Sequence, residues 1–336
     1  MTRFTHCIVH AGTHKTGTTS VQDVLAAQRA ELVAAGILYP ALDGGSRDHN
    51  ALAHRLATCA DEELPLLREL LTRGSAGLGA RPGGGATLLL SAEELSTRIC
   101  GLDPWAGFDD GAYWEHRRQY LARLRSLLPA AARVEVFVCF RDHESYAHAL
   151  YATKVLSGKV GWSFTEFVRR CAPIFDYGRQ AEVLAEVLGP VHVQSFETLR
   201  CDLVNRSVAW LGLPLHVERT PRLRPTPALD LIHWLARPAG QRERERRAAF
   251  CRAKRRRPDR EGAAVRSLWP SAEARMDFLR HCQPPPLQSW APSARIGDPV
   301  DPAALERRAD QIEAEYQRWL RDGGHRKHWV YFWRRW

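Results

Sequence analysis

The first thirty-six residues constrain this chain more than any other stretch. Phe4–His10 (FTHCIVH) is a short β-prone run that leads directly into a glycine- and threonine-rich turn, residues 11–19. From Ser20 the spacing turns helical: Val21, Val24, Leu25, Leu32 and Val33 fall on one stripe, and Gly36 ends it. A strand, a glycine turn and a helix in succession form the opening unit of an α/β nucleotide fold.

The rest of the first two-thirds repeats that alternation. Helices are predicted over residues 62–72, 113–128, 146–156, 164–171, 179–188 and 203–211, the last ending at Gly212. Residues 86–90 (ATLLL), 134–140 (VEVFVCF) and 191–195 (VHVQS) read as strands, and residues 74–85 as a loose Gly-rich connection. ATLLL is uninterrupted and apolar, as a strand covered on both faces should be. The fold class expected is α/β: a P-loop-type parallel β-sheet with helices on both faces, spanning residues 1–215. Strand order is not legible at this level. Residues 216–336 read as a helical, basic C-terminal extension that contributes acceptor contacts. It is Pro- and Arg-rich over 221–260 and irregular at Pro284, Pro285 and Pro286. A helix is expected from Pro302 to Leu320, capped by Asp301, with Leu305, Ile312, Tyr316 and Trp319 on its apolar stripe.

Charge is concentrated. The 336 residues carry a net charge of +10, yet residues 237–260 hold ten arginines and one lysine against three acids, a local excess of eight. No run approaches the roughly 18–20 apolar residues that span a bilayer, and Met1, Thr2 and Arg3 lead straight into a strand-like segment without a secretory pattern. Eight scattered cysteines show no CxxC pair and no Cys/His cluster. A cytoplasmic chain with reduced thiols and no metal site is the expectation.

The turn defines the ligand more closely. Gly12 and Gly17 have the glycine spacing of a nucleoside-triphosphate loop, GxxxxGK[ST], between a strand and a helix where backbone N–H groups favour phosphate. Such loops place their lysine directly after the second glycine; here that residue is Thr18, and the lysine is Lys15, inside the turn. A lysine there suits one bridging phosphate without an obligatory metal.

Residues 10–22, HAGTHKTGTTSVQ, resemble the 5′-phosphosulfate loop of sulfotransferases that use 3′-phosphoadenosine 5′-phosphosulfate (PAPS), especially a bacterial group with the form HxGxxKTGTTSxQ. The resemblance implies PAPS as co-substrate, no metal, Lys15 at the leaving oxygen, and a 5′-phosphate site of His14, Lys15, Thr16, Gly17, Thr18 and Thr19. His10 and His14 flank the loop and are expected to shape it rather than titrate in catalysis. Arg141, just past the strand 134–140, resembles the family's 3′-phosphate arginine, whose planar fork suits phosphate. The family's serine eight residues later is Ala149 here, and Ser145 is the candidate replacement. LLLSAEELS (88–96) and residues 175–214 also resemble the bacterial group; the likeness covers roughly residues 4–215. A glycine-containing cofactor loop near the C-terminus of steroid and phenol sulfotransferases has no counterpart.

For the base, Glu93 is the first choice. It follows a strand whose carboxyl end should open onto the same crevice as the loop, and carbohydrate-type sulfotransferases use glutamate. Glu94 is its neighbour, and His49 is the competing base. Two rivals remain: a P-loop kinase or NTPase, and a non-catalytic nucleotide-fold protein that binds polyanions through Lys254, Arg255, Arg256 and Arg257. The aromatic tail 328–336 is expected to dock on the core. A small-molecule or carbohydrate acceptor is the expected partner and nucleic acid is disfavoured; acceptor identity and oligomeric state are not legible.

Overall fold

Five parallel strands make one sheet: β1 (Phe4–His10), β2 (Ile37–Leu38), β3 (Ala86–Ser91), β4 (Arg133–Phe140) and β5 (Val191–Ser195), in the order β2-β3-β1-β4-β5. The computed structural model describes residues 3–42, 45–78, 85–103, 105, 110–217, 228–255, 265, 267–287 and 299–323. Four strands match the hydrophobic runs in the sequence. The fifth, β2, is only two residues long and carries no pattern of its own; it pairs with β3 at Thr87 and Leu88.

Both faces of the sheet are covered, which explains the unbroken apolar runs. Ile8, Leu89 and Phe137 form one core with Val21, Leu25 and Leu32 from the segment after β1, and Val204 and Val208 from the helix Leu203–Trp210. Their strand neighbours Cys7, Val9, Leu88, Leu90, Val136 and Val138 point the opposite way and are at most 1% exposed. The helices Asp110–Leu127 and Tyr177–Val187 pack on each other, and the second also on β4 and β5. The helical stripe after the first turn is two helices, Thr18–Ala27 and Arg29–Ala34. They are divided at Gln28, whose φ of −105° departs from the helix while its side chain donates to the His216 carbonyl at 3.2 Å.

The chain divides into two compact units. The first comprises Met1–Asp142, Cys171–Leu223 and Cys282–Pro292, and holds the sheet; the second comprises His143–Arg170, Arg224–His281 and Ser293–Trp336. In the second unit the helix Leu229–Ala236 packs on both His143–Leu156 and Pro302–Arg321. Trp234, Phe250 and Tyr316 meet ring to ring at 5.2–5.6 Å. Asp301 caps the last helix, accepting from the Ala303 and Ala304 amides at 3.0 and 3.2 Å.

Three cations of the basic segment are paired with acids. Arg237 pairs with Glu306 and Asp310, Arg247 with Glu243 and Glu313, and Lys254 with Glu315. The acidic face of Pro302–Arg321 therefore acts as a counter-surface for these cations. Arg256 and Arg257, and the aromatic tail 328–336, lie outside the described residues. Among the described residues no helix is long and apolar enough to cross a membrane, and no disulfide occurs, with Cys7, Cys139, Cys171 and Cys251 buried.

Candidate active site

The site forms where β1, β3 and β4 end side by side. His10, the last residue of β1, lies opposite Ser91 of β3 and Phe137 of β4, so the segments that follow converge above the same edge of the sheet. Sheet hydrogen bonding continues into the loop: the Ala11 amide donates to Phe137 O at 2.9 Å and the Thr13 amide to Cys139 O at 3.0 Å. The Thr13 hydroxyl reaches the same Cys139 carbonyl at 3.1 Å, and the Thr16 hydroxyl donates to Thr13 O at 2.6 Å. These bonds hold the turn in shape.

Backbone conformation does the rest. Lys15 has φ 66°, the one positive φ outside glycine among the described residues, and Gly17 has φ 73°. A left-handed lysine is a strained choice, and such strain gathers where a loop must aim its groups. Gly12 is held by space: a Cβ there would come within 2.8 Å of Thr18 Cγ2 and 3.1 Å of Thr16 Oγ1. The helix Thr18–Ala27 then begins at Gly17 with no side-chain cap and no acid in its first turn. Its opening amides and the positive end of its dipole are directed at the loop.

The carboxylate missing from that helix arrives from β3. Two residues past its end, Glu93 accepts the Thr18 hydroxyl at 2.7 Å through Oε2 and faces His14 Nδ1 at 3.4 Å through Oε1. Burial by itself would push this carboxyl up. The hydrogen bond and charge of His14, the Thr18 hydroxyl and the field of Lys15 outweigh it, and the group is held down to about 2. Glu94 is engaged separately, with Arg98 at 2.8 Å, His54 at 3.6 Å and His14 Nε2 at 3.8 Å. His14 is thus a buried imidazole set between two carboxylates, with the Trp105 ring 6.2 Å away.

His49 is placed differently. The Ser91 amide donates to its Nδ1 at 2.9 Å, which puts the ring proton on Nε2, where it is given to Pro40 O at 3.0 Å. Both nitrogens are occupied, the ring is 1% exposed, and burial lowers it to about 4. His10 is similar: its Nδ1 bonds Ser91 Oγ at 2.9 Å, and burial lowers it to about 4. His10 thus ties the ends of β1 and β3 together beneath the loop, joined by Gln22, whose amide reaches Ser91 Oγ at 3.3 Å, while His49 ties the end of β3 to Pro40.

Arg141 follows β4 and joins the loop directly, donating from Nη1 to Lys15 O at 3.1 Å. Its guanidinium lies 5.3 Å from the centre of the Phe196 ring, and its carbonyl accepts the Tyr177 hydroxyl at 2.8 Å. Lys15 and Arg141, 126 residues apart, are therefore neighbours. Ser145 and Ala149 lie on the helix His143–Leu156 of the second unit, with Ala149 buried.

Arg117 escaped sequence reasoning altogether. It is fully buried and donates to Arg98 O and Leu95 O, both at 2.7 Å, so it clamps the turn that carries Glu93 and Glu94. The signal was available: Arg117 falls four residues after Tyr113 and three before Tyr120, a charge set into an apolar stripe.

No family model and no curated protein matches the chain. Among solved structures, a sulfotransferase from Alicyclobacillus acidocaldarius is similar over 67% of this chain and 88% of its own, at 18% identity and a TM-score of 0.34. It is the loop's own residues, rather than this likeness, that bear on function.

Proposed function

We propose that this chain is a sulfotransferase that moves a sulfuryl group from PAPS to a hydroxyl or amine acceptor. One observation carries the reading: a helix start without side-chain cap or first-turn acid, preceded by a left-handed lysine. That cradle fits a single bridging phosphate. PAPS would supply the activated sulfur. Lys15 neutralises charge on the bridging oxygen as the sulfur–oxygen bond breaks, and Thr16, Gly17, Thr18 and Thr19 hold the 5′-phosphate. Arg141 takes the 3′-phosphate, and His14 braces the loop. The acceptor oxygen or nitrogen bonds to sulfur in line, its proton passes to Glu93, and adenosine 3′,5′-bisphosphate leaves. His49, with both nitrogens engaged, has no part in this scheme.

A magnesium-dependent kinase or NTPase is the second reading, favoured by one feature: β3 lies beside β1 and is followed closely by Glu93 and Glu94. Against it, Thr18 stands where that loop needs lysine, and Glu93 already faces Thr18 and His14. The polyanion-binding reading loses Lys254 to its pairing with Glu315.

Thermal stabilisation separates these readings. Adenosine 3′,5′-bisphosphate at about 100 times its dissociation constant should add roughly 2.7 kcal/mol. Lys15→Ala and Arg141→Ala should each shrink that shift. Stabilisation by magnesium-ATP alone would replace this reading with the kinase one.

A further inference from the structure

The Thr18 hydroxyl has one hydrogen to give, and in this structure it goes to Glu93 Oε2 at 2.7 Å. The same hydroxyl stands at the first residue of an uncapped helix, where an incoming phosphate would bind. It cannot serve both anions at once. The loop backbone at Thr13 and Thr16 is bonded independently of Thr18: Thr13 is bonded to Cys139 O by amide and hydroxyl, and Thr16 closes back on Thr13. A ligand therefore meets a formed backbone and need only exchange side-chain partners.

We infer that Thr18 couples the donor site to the base: Glu93 acts as the loop's resident anion, and a bound donor phosphate takes over the Thr18 hydroxyl and sets the Glu93 carboxylate free. This rests on the sulfotransferase reading and resolves a difficulty within it. Held as it is, Glu93 takes up a proton poorly. Losing the Thr18 hydrogen bond while gaining an adjacent anion raises its affinity for a proton, so it becomes an effective base with the donor present. The groups that face it are His14, Lys15 and Thr18; Glu94, beside it in sequence, is held by Arg98 and His54. His14 stays in contact with Glu93 after the exchange and serves as a positioning residue, keeping the freed carboxylate aimed at the acceptor.

The test is a binding cycle read by titration calorimetry with adenosine 3′,5′-bisphosphate as the probe. Glu93→Gln removes the competing charge and should tighten binding about tenfold. In a Thr18→Val background the same change should gain only about threefold, because there is no shared hydroxyl to release. Thr18→Ser, which restores the hydroxyl, should recover the full gain; if Thr18→Val does not fold, Thr18→Ala replaces it. Glu93→Gln leaving affinity unchanged, or gaining equally in both backgrounds, would overturn the coupling while leaving the sulfotransferase reading in place. Wild-type protein that melts cooperatively yet binds no bisphosphate would overturn that reading and the coupling with it.

Discussion

Glu93 and Glu135 are both carboxylates near this sheet contacted by histidine, and only the first belongs to the candidate site. Glu93, past the carboxyl end of β3, faces His14 and Thr18. Glu135, near the amino end of β4, lies 2.6 Å from His6 Nε2 and accepts from His192 at 3.1 Å and Arg133 at 2.8 Å. In both, burial pushes the carboxyl up and the surrounding donors overcome it, leaving each below the ordinary carboxylate range. A lowered carboxyl is therefore no marker of a site. The distinction lies in what else the partners could do. His6, Arg133 and His192 project from three neighbouring strands with only Glu135 in common. Thr18, Lys15 and His14 belong to a loop bent into left-handed conformations in front of an open helix end, and another anion can claim them.

Turnover should separate the two most sharply. Glu93→Gln is expected to lower turnover of PAPS, assayed as bisphosphate release with a competent acceptor, by about 100-fold or more, the usual scale for removing a general base. Glu135→Gln should leave it within about twofold. Equal losses in the two variants would mean that the Glu93 contacts are structural as well, and the comparison would fail.

The sequence carried this contrast only in part. Strand–turn–helix alternation and apolar runs are local properties, so β1, β3, β4, β5 and the loop were legible from residues alone. Glu93 was placed near the loop by the general behaviour of strand ends in parallel sheets. Its partners were not, because Thr18 and Glu93 meet through the adjacency of β3 and β1, which no local pattern encodes. The same limit hid the fate of His49. An isolated histidine in sequence gives no sign that a strand amide and a proline carbonyl will occupy both its nitrogens. The partners of Arg247 and Lys254 were hidden too, because they lie about 60 to 70 residues further along, on Pro302–Arg321.

Acid unfolding gives the second comparison. Each carboxyl is lowered in the folded state, so each stabilises the fold above the unfolded value near 4.5, and that contribution is lost as pH falls, for Glu93 towards about 2. Glu93→Gln and Glu135→Gln should both melt below wild type at pH 7, with the gap closing as pH falls below 4.5. Bisphosphate at pH 7 should narrow the gap for Glu93→Gln, whose lost contact the ligand replaces, and not for Glu135→Gln. A gap that stays constant with pH would show that neither ionised carboxylate contributes through these contacts.

The smallest effect expected is at the histidines of Glu135. His192 is 43% exposed on its side chain and His6 29%, and exposed pairs contribute at most about 1 kcal/mol. His6→Gln should cost more than His192→Gln on ion-pairing grounds, since its contact is shorter and drier. His192 has a second attachment, however: its ring stacks on Phe137 at 4.6 Å and 24°. Aromatic pairs of this kind contribute about 0.5–1.5 kcal/mol without depending on charge. Melting at low and high salt resolves the two contributions. If ion pairing dominates, the cost of His192→Gln shrinks as salt rises; if stacking dominates, it is unchanged by salt and equals or exceeds that of His6→Gln. The second result would recast Glu135 as a carboxylate positioned by packed rings, and would widen its distance from Glu93, whose partners are held by a loop built for exchange.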